Sequence, residues 1–301
     1  MAYKLELAAG LPSTARAVAL EQLDEGAAAL REEQAEDPVG AVHQARKNVK
    51  KSRAVLRLVR PGLKTKVYRR ENRTLRDAAR TVAHVRDADV MVETVDALQE
   101  RFAGRLPKPV FDRVRKALSR DADESRDQAG DDLGADLAVA LDEVAARVGD
   151  WPLDDAGWDV AVDGIDRAYR RGRKAFAVAD ADPTTETLHE WRKRVKDLWY
   201  HQRLLKPAWP AVLGAQADEA HELSDLLGDE HDLAVLADRL RDDPPTADAD
   251  EILDLIEQRR DELRAHIGTL GRRVYAEKPK AFSRRIRRYL RSAETADPVP
   301  G

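Results

Sequence analysis

One pattern occurs twice in this chain, and it constrains the fold more than any other feature. Val42-His43-Gln44-Ala45-Arg46-Lys47-Asn48-Val49-Lys50 reads as apolar-His-x-x-Arg-Lys-x-Val-Lys, and so does Leu188-His189-Glu190-Trp191-Arg192-Lys193-Arg194-Val195-Lys196, at an offset of 146 residues. The same offset pairs Arg57 with Arg203, Pro61 with Pro207 and Gly26 with Gly172. At an offset of 145, Arg86-Asp87-x-x-Val90 faces His231-Asp232-x-x-Val235. Islands in one order at one spacing indicate a tandem duplication. The expected organisation is a first helical half over residues 1–150, a second over 151–293, and a flexible tail over 294–301.

Breakers cut each half into helical lengths. Asp37-Pro38-Val39-Gly40 closes a first helix that begins near Ser13, and Pro61-Gly62 ends a second. A third runs from about Lys64 through Val90 or beyond, and Leu106-Pro107-Lys108-Pro109 precedes a fourth. The acidic stretch Asp121 to Asp136, with Gly130 and Gly134, reads as a frayed helix end and loop. Gly149-Asp150-Trp151-Pro152 marks the middle, and breaks at Asp182-Pro183, Pro207 to Pro210 and Asp242 to Asp250 repeat the layout. Alternating β-branched runs between turn residues are missing, and aromatic residues are only 5% of the chain. The predicted fold class is all-α, two tandem four-helix-bundle halves.

The net charge of −4 conceals a segregation of sign. His43 to Arg86 holds 15 Lys/Arg against 2 Asp/Glu, and Arg272 to Arg291 holds 9 against 1. Ser119 to Asp166 carries 15 acidic and 3 basic residues, and Ala215 to Glu262 carries 17 and 4. Solubility alone is served by mixed signs, so blocks of opposite sign imply a basic surface facing a polyanion. There is no cysteine, which excludes disulfides, zinc–thiolate sites and cysteine nucleophiles. No apolar run approaches the ~20 residues of a membrane span, and MAYKLELAAG lacks the long apolar stretch of a signal peptide. No membrane partner is expected, and the cytoplasm is the default location.

On a helix, Val42, Ala45, Val49, Ser52, Leu56 and Val59 form a buried stripe. His43, Arg46, Lys47, Lys50, Arg53 and Arg57 then share an adjacent arc of roughly 120°. The second copy places Leu188, Trp191, Val195, Leu198 and Leu205 inward, with His189, Arg192, Lys193, Lys196 and Arg203 beside them. A cationic stripe of ~20 Å suits an extended chain of phosphates better than one small ligand. Arg forks grip phosphate oxygens and Lys supplies mobile charge. Arg69, Arg70 and Arg73, Arg167, Arg170, Arg171, Arg173 and Lys174, and Lys278, Lys280, Arg284 and Arg285 are further basic clusters, for each of which a solvated face is an equal reading.

The histidines invite a metal, but Arg46, Lys47, Arg192 and Lys193 hold the positions where further ligands would stand. Cations there repel a metal ion, so neither metal nor cofactor is expected. Contact with phosphate or a helical spacer role fits each histidine better. Neighbouring cations should lower their pKa, and a bound polyanion should reverse this, so that binding takes up protons near neutrality and tightens toward pH 6. Asp87 and Asp232 read as helix caps or Arg-orienting acids. No Walker loop, G-x-G-x-x-G or H-E-x-x-H is present.

The two H-x-x-R-K-x-V-K helices, the R-D-x-x-V and H-D-x-x-V sites, and Val274-Tyr275-Ala276-Glu277-Lys278-Pro279 together resemble the CHAD domain, the conserved histidine α-helical domain. The resemblance covers nearly the whole chain. It implies two four-helix bundles related by a pseudo-twofold axis around a basic groove or pore, and non-enzymatic binding of inorganic polyphosphate. It also implies association with polyphosphate granules and, through them, with polyphosphate-metabolising enzymes. His43, Arg46, Lys50, His189, Arg192 and Lys196 match the family's signature positions. Trp199 departs from it, standing where Arg53 sits in the first half. The competing readings are a nucleic-acid-binding helical protein, a His-dependent phosphotransferase or polyphosphatase, and a granule scaffold. Scarce aromatics near the basic stripes argue against nucleic acid.

Overall fold

The computed structural model describes residues 3–33, 37–129, 133–242 and 249–295; side chains at 33, 83–87 and 125–129 lie outside that description. Among the described residues there are helices and no strands. In order they are α1 (Leu11–Ala28), α2 (Pro38–Leu58), α3 (Thr65–Thr81), α4 (Ala83–Arg101), α5 (Lys108–Ala129), α6 (Ala135–Val148), α7 (Trp158–Ala181), α8 (Thr185–Leu205), α9 (Pro210–Asp242), α10 (Ala249–Val274) and α11 (Pro279–Thr295). The chain is all-α.

The two motif helices start in the same way. Asp37 caps α2, accepting from the Gly40 amide at 2.8 Å with Pro38 in the first turn. Thr184 caps α8, accepting from the Thr187 amide at 3.2 Å. Both satisfy amides that a helix start would leave without partners. The expected break before α2 falls in place, although α1 ends at Ala28 and a π-helical turn, Ala29–Glu33, follows it. The expected third helix is interrupted: at Val82 the backbone leaves the helical region (φ −105°, ψ 12°) and α4 sets off anew. No glycine or proline marks that site. Its cause is tertiary, because α3 packs on α2 and α6 while α4 packs on α5, α9 and α10. The Asp121 end of the acidic stretch is helical through Ala129, not frayed. Residues 130–132, 243–248 and 296–301 of the expected loops and tail lie outside the described residues, as do the side chains of Arg86 and Asp87.

α1 pairs with α2 and α6; α8 packs between α7 and α9, α9 against α10, and α11 against α7. Joining these groups, α2 packs against α7 and α8. Every residue of the predicted stripe on α2 and α8 is buried. A second buried row on α2, Ala54, Val55 and Leu58, exists because α2 is covered from this further side. Gly164 permits the crossing: a Cβ there would stand 1.9 Å from the Leu58 carbonyl oxygen. Nearby, His201 of α8 donates Nε2–H to the Ala54 carbonyl at 3.0 Å. Burial holds the His201 pKa down to about 4, so the ring is neutral. Trp191 is 1% exposed and tilted against Phe176 at 4.9 Å. Truncating it to alanine would cost ~3–5 kcal/mol.

Candidate polyanion-binding site

With α2 and α8 side by side, their cationic arcs converge. A cavity of about 430 Å³ is lined by Arg46, Lys50, Arg53 and Arg57 of α2, Arg76 and Arg80 of α3, and Lys193, Arg194 and Lys196 of α8. Among the described residues Asp197 supplies the one carboxylate of that lining, and Tyr200 the one aromatic ring. Six of these cations follow from the repeat. Arg76, Arg80 and Arg194 do not, because α3 had no known orientation and Arg194 sits at the variable position of the motif.

The cations differ in how far they are already neutralised. Arg57 donates to Asp197 at 2.9 Å, and Arg194 approaches the same carboxylate at 3.3 Å while also pairing with Glu190. Arg76 pairs with Asp77 at 2.7 Å, and Lys193 with Glu190 at 3.6 Å. Among the described residues Arg53 donates only to the neutral Asn72 amide oxygen, at 3.2 Å. Burial, and then the nearby Arg57, lower its pKa to about 10. It stays charged at neutral pH, a desolvated cation that gains from an anion. Lys196 goes further: burial, then Arg192 and Lys50, pull its pKa down to about 7 against the opposing effect of Asp225 and Asp232.

Arg192 lies along α9, its guanidinium over Gly228, where a Cβ would come within 2.8 Å of Nη2. The His189 ring packs tilted against that of His231 of α9, with centroids 4.3 Å apart. Burial, and next the His231 ring, lower the His189 pKa to about 4. Cations contribute less than burial to that shift, a reordering of the causes expected from sequence. His43 and Lys47 are exposed on α2.

The remaining candidates sit elsewhere. Arg70 pairs with Glu71, a fully buried carboxylate that Arg147 of α6 also holds at 2.9 Å, and Arg73 is exposed on α3. Arg170 pairs with Asp166 at 2.6 Å. Arg173 donates to the Tyr275 carbonyl at 3.1 Å and to the Glu277 carbonyl, fastening the turn before α11. Arg203 lies over the rings of Tyr3 and Trp199, 5.3 and 5.5 Å from their centroids. Lys278 is exposed, its carbonyl accepting the first amides of α11. No group of three or more His, Asp or Glu suited to a metal ion occurs among the described residues, and none of their helices is long and apolar enough to cross a membrane.

The CHAD domain family model matches residues 14–241 of the chain. No curated protein matches the sequence. Among solved structures, PptA from Streptomyces chartreusis is similar with a TM-score of 0.62, covering 89% of this chain and 100% of that chain at 19% sequence identity. At that identity the likeness is one of fold.

Proposed function

Because the chain belongs to the CHAD domain family, a domain known in polyphosphate-binding proteins, we propose that it binds inorganic polyphosphate in the cavity between α2, α3 and α8, without turning it over. The observation that carries this reading is the lining itself, which among the described residues places nine Lys/Arg side chains and one carboxylate around a single space. A concentration of like charge that its ion pairs offset only in part favours a polyanion in that space. In this reading Arg46, Lys50, Arg53, Lys193 and Lys196 contact phosphate directly, while Arg57 and Arg194, which Asp197 holds and partly neutralises, line the space beside them. His43, Lys47, Arg192 and His189 flank the space, and Arg73 on α3 extends the basic surface outward.

The same reading takes residues 1–150 and 151–293 as related halves that approach the polymer from two sides. It locates the protein in the cytoplasm, at polyphosphate granules, near polyphosphate-metabolising enzymes. Nucleic acid fits less well, because among the described residues of the lining bases would find only Tyr200 to stack on. A phosphotransferase would need an activated nucleophile. Asp197, the carboxylate at hand, is already engaged by two arginines.

Calorimetric titration with polyphosphates of graded length tests the reading. Affinity should rise with chain length and then level off, long polyphosphate should displace RNA and DNA, and no phosphate should be released. Displacement of polyphosphate by RNA at equal phosphate concentration would reverse the assignment.

A further inference from the structure

We propose that Lys196 is an acylation site for small acyl phosphates: the cavity cations hold the phosphate, and the lysine amine takes the acyl group. This rests on the reading of the cavity as a phosphate site and assigns it a regulatory chemistry.

Three observations converge on Lys196. It lines the cavity, on the face of α8 turned toward α2. It has no hydrogen-bond or ion-pair partner among the described residues, whereas Lys193 is held by Glu190. The groups facing it are mainly cationic: Lys50 from α2 and Arg192 from its own helix disfavour the ammonium, while Asp225 and Asp232 of α9 favour it. Burial and like charge outweigh the two carboxylates, so that near pH 7 a large share of the amine is unprotonated. Desolvation beside other cations is how a lysine becomes a nucleophile at neutral pH. Arg46 and Arg53 line the same space and offer guanidinium forks to the phosphate.

The step balances without an oxidant or a metal. The Lys196 Nζ lone pair attacks the acyl carbon, the bond from that carbon to the bridging oxygen breaks, and inorganic phosphate departs with the bonding pair. The amine proton leaves with the phosphate or to water. The product is a neutral amide, which removes one cation from the polyphosphate cavity for as long as it persists.

The test uses the full chain with acetyl phosphate at pH 7.5 and, in parallel, an acetylating reagent without phosphate such as sulfosuccinimidyl acetate. Site occupancies are followed by mass spectrometry after Glu-C digestion. With acetyl phosphate, Lys196 should be labelled at least ~10-fold faster than the exposed Lys64 and Lys108, given how little of an ordinary lysine is unprotonated at that pH. Tripolyphosphate should suppress Lys196 labelling and leave Lys64 and Lys108 unaffected. The phosphate-free reagent should favour Lys196 less. Equal rates at the three lysines, or the same preference with both reagents, would overturn the proposal. Calorimetry on the same sample separates this from the parent reading: polyphosphate binding without selective labelling removes the acylation site alone, and absence of both removes the phosphate cavity itself.

Discussion

Arg57 of α2 reaches Asp197 of α8 across 2.9 Å, so a cation of the first repeat is tied to a carboxylate of the second. Asp197 is 8% exposed and is approached by Arg194 as well. One acid therefore joins the two repeated helices and offsets two of the arginines that would otherwise add to the field of the cavity.

Removing that acid should separate stability from affinity. Asp197→Asn leaves Arg57, Arg194 and Arg53 in mutual repulsion, at a cost of ~1–3 kcal/mol in unfolding free energy for this partly exposed pair. Polyphosphate affinity should rise at the same time, because two guanidinium groups are released to the ligand. Thermal melting with and without polyphosphate reads both effects. A variant as stable as the parent, or one that binds more weakly, would show that Asp197 does not hold the arginines back.

Binding through several Lys and Arg residues displaces counterions from the polymer. The logarithm of affinity should then fall linearly with the logarithm of salt concentration. By analogy with nucleic acids, about six phosphate contacts give a loss on the order of a thousandfold between 50 and 200 mM salt. Calorimetry across that range measures the slope, and a flat response would exclude the cavity cations as the contact surface.

The two motif copies should not contribute equally. Arg46 and Lys50 both line the cavity, whereas of Arg192 and Lys196 only Lys196 does. Trp199 occupies the place of Arg53 and stacks on Tyr200 with centroids 4.5 Å apart, and Arg203 rests over it. Arg46→Glu with Lys50→Glu should therefore weaken binding more than Arg192→Glu with Lys196→Glu, by ~10-fold or more at low salt. Helical content by circular dichroism should match the parent in both. Equal losses would mean that the second helix reaches the ligand as fully as the first.

How much of this was legible in the sequence follows from what each signal depends on. The period of Val42, Ala45, Val49, Ser52 and Leu56 is local, so the buried stripe on α2 could be read directly. The capped starts of α2 and α8 are local too. The break at Val82 depends on where α4 must pack, and no residue there announces it. At the cavity, Arg46, Lys50, Arg53, Arg57, Lys193 and Lys196 could be chosen because a helix places them on one arc. Arg76 and Arg80 required knowing that α3 lies over α2. Nothing local distinguishes the clamp at Arg173 from a surface cation, since its acceptors are carbonyls about a hundred residues away. Nor could spacing show that Asp197 would neutralise Arg57.

The pH dependence of binding should show where the proton goes. Sequence placed the switch on His43 and His189; the His189 pKa is lowered to about 4, so that this ring stays neutral from pH 5 upward and cannot titrate near neutrality. Lys196, with its pKa lowered to about 7, titrates there instead. Below pH 7 it is charged and adds to the attraction; above, it is increasingly neutral. Bound polyphosphate supplies negative charge that favours the ammonium, so binding at pH 7.5 to 8.5 should take up close to one proton and tighten as pH falls to 6.5. The stability sign runs the other way. An unfolded lysine stays charged up to its ordinary pKa, so between pH 7 and about 10 the unfolded state binds more protons than the folded one, and stability conferred by this group rises with pH. Lys196→Met should therefore raise the melting temperature most below pH 7, where the buried charge is fully present, and the gain should shrink toward pH 9. The same variant should lose the proton uptake on binding, measured by calorimetry in buffers of different ionisation enthalpy, while His189→Gln should keep it. Proton uptake that survives Lys196→Met and disappears in His189→Gln would return the switch to the histidine and require that the His189–His231 contact open when polyphosphate binds.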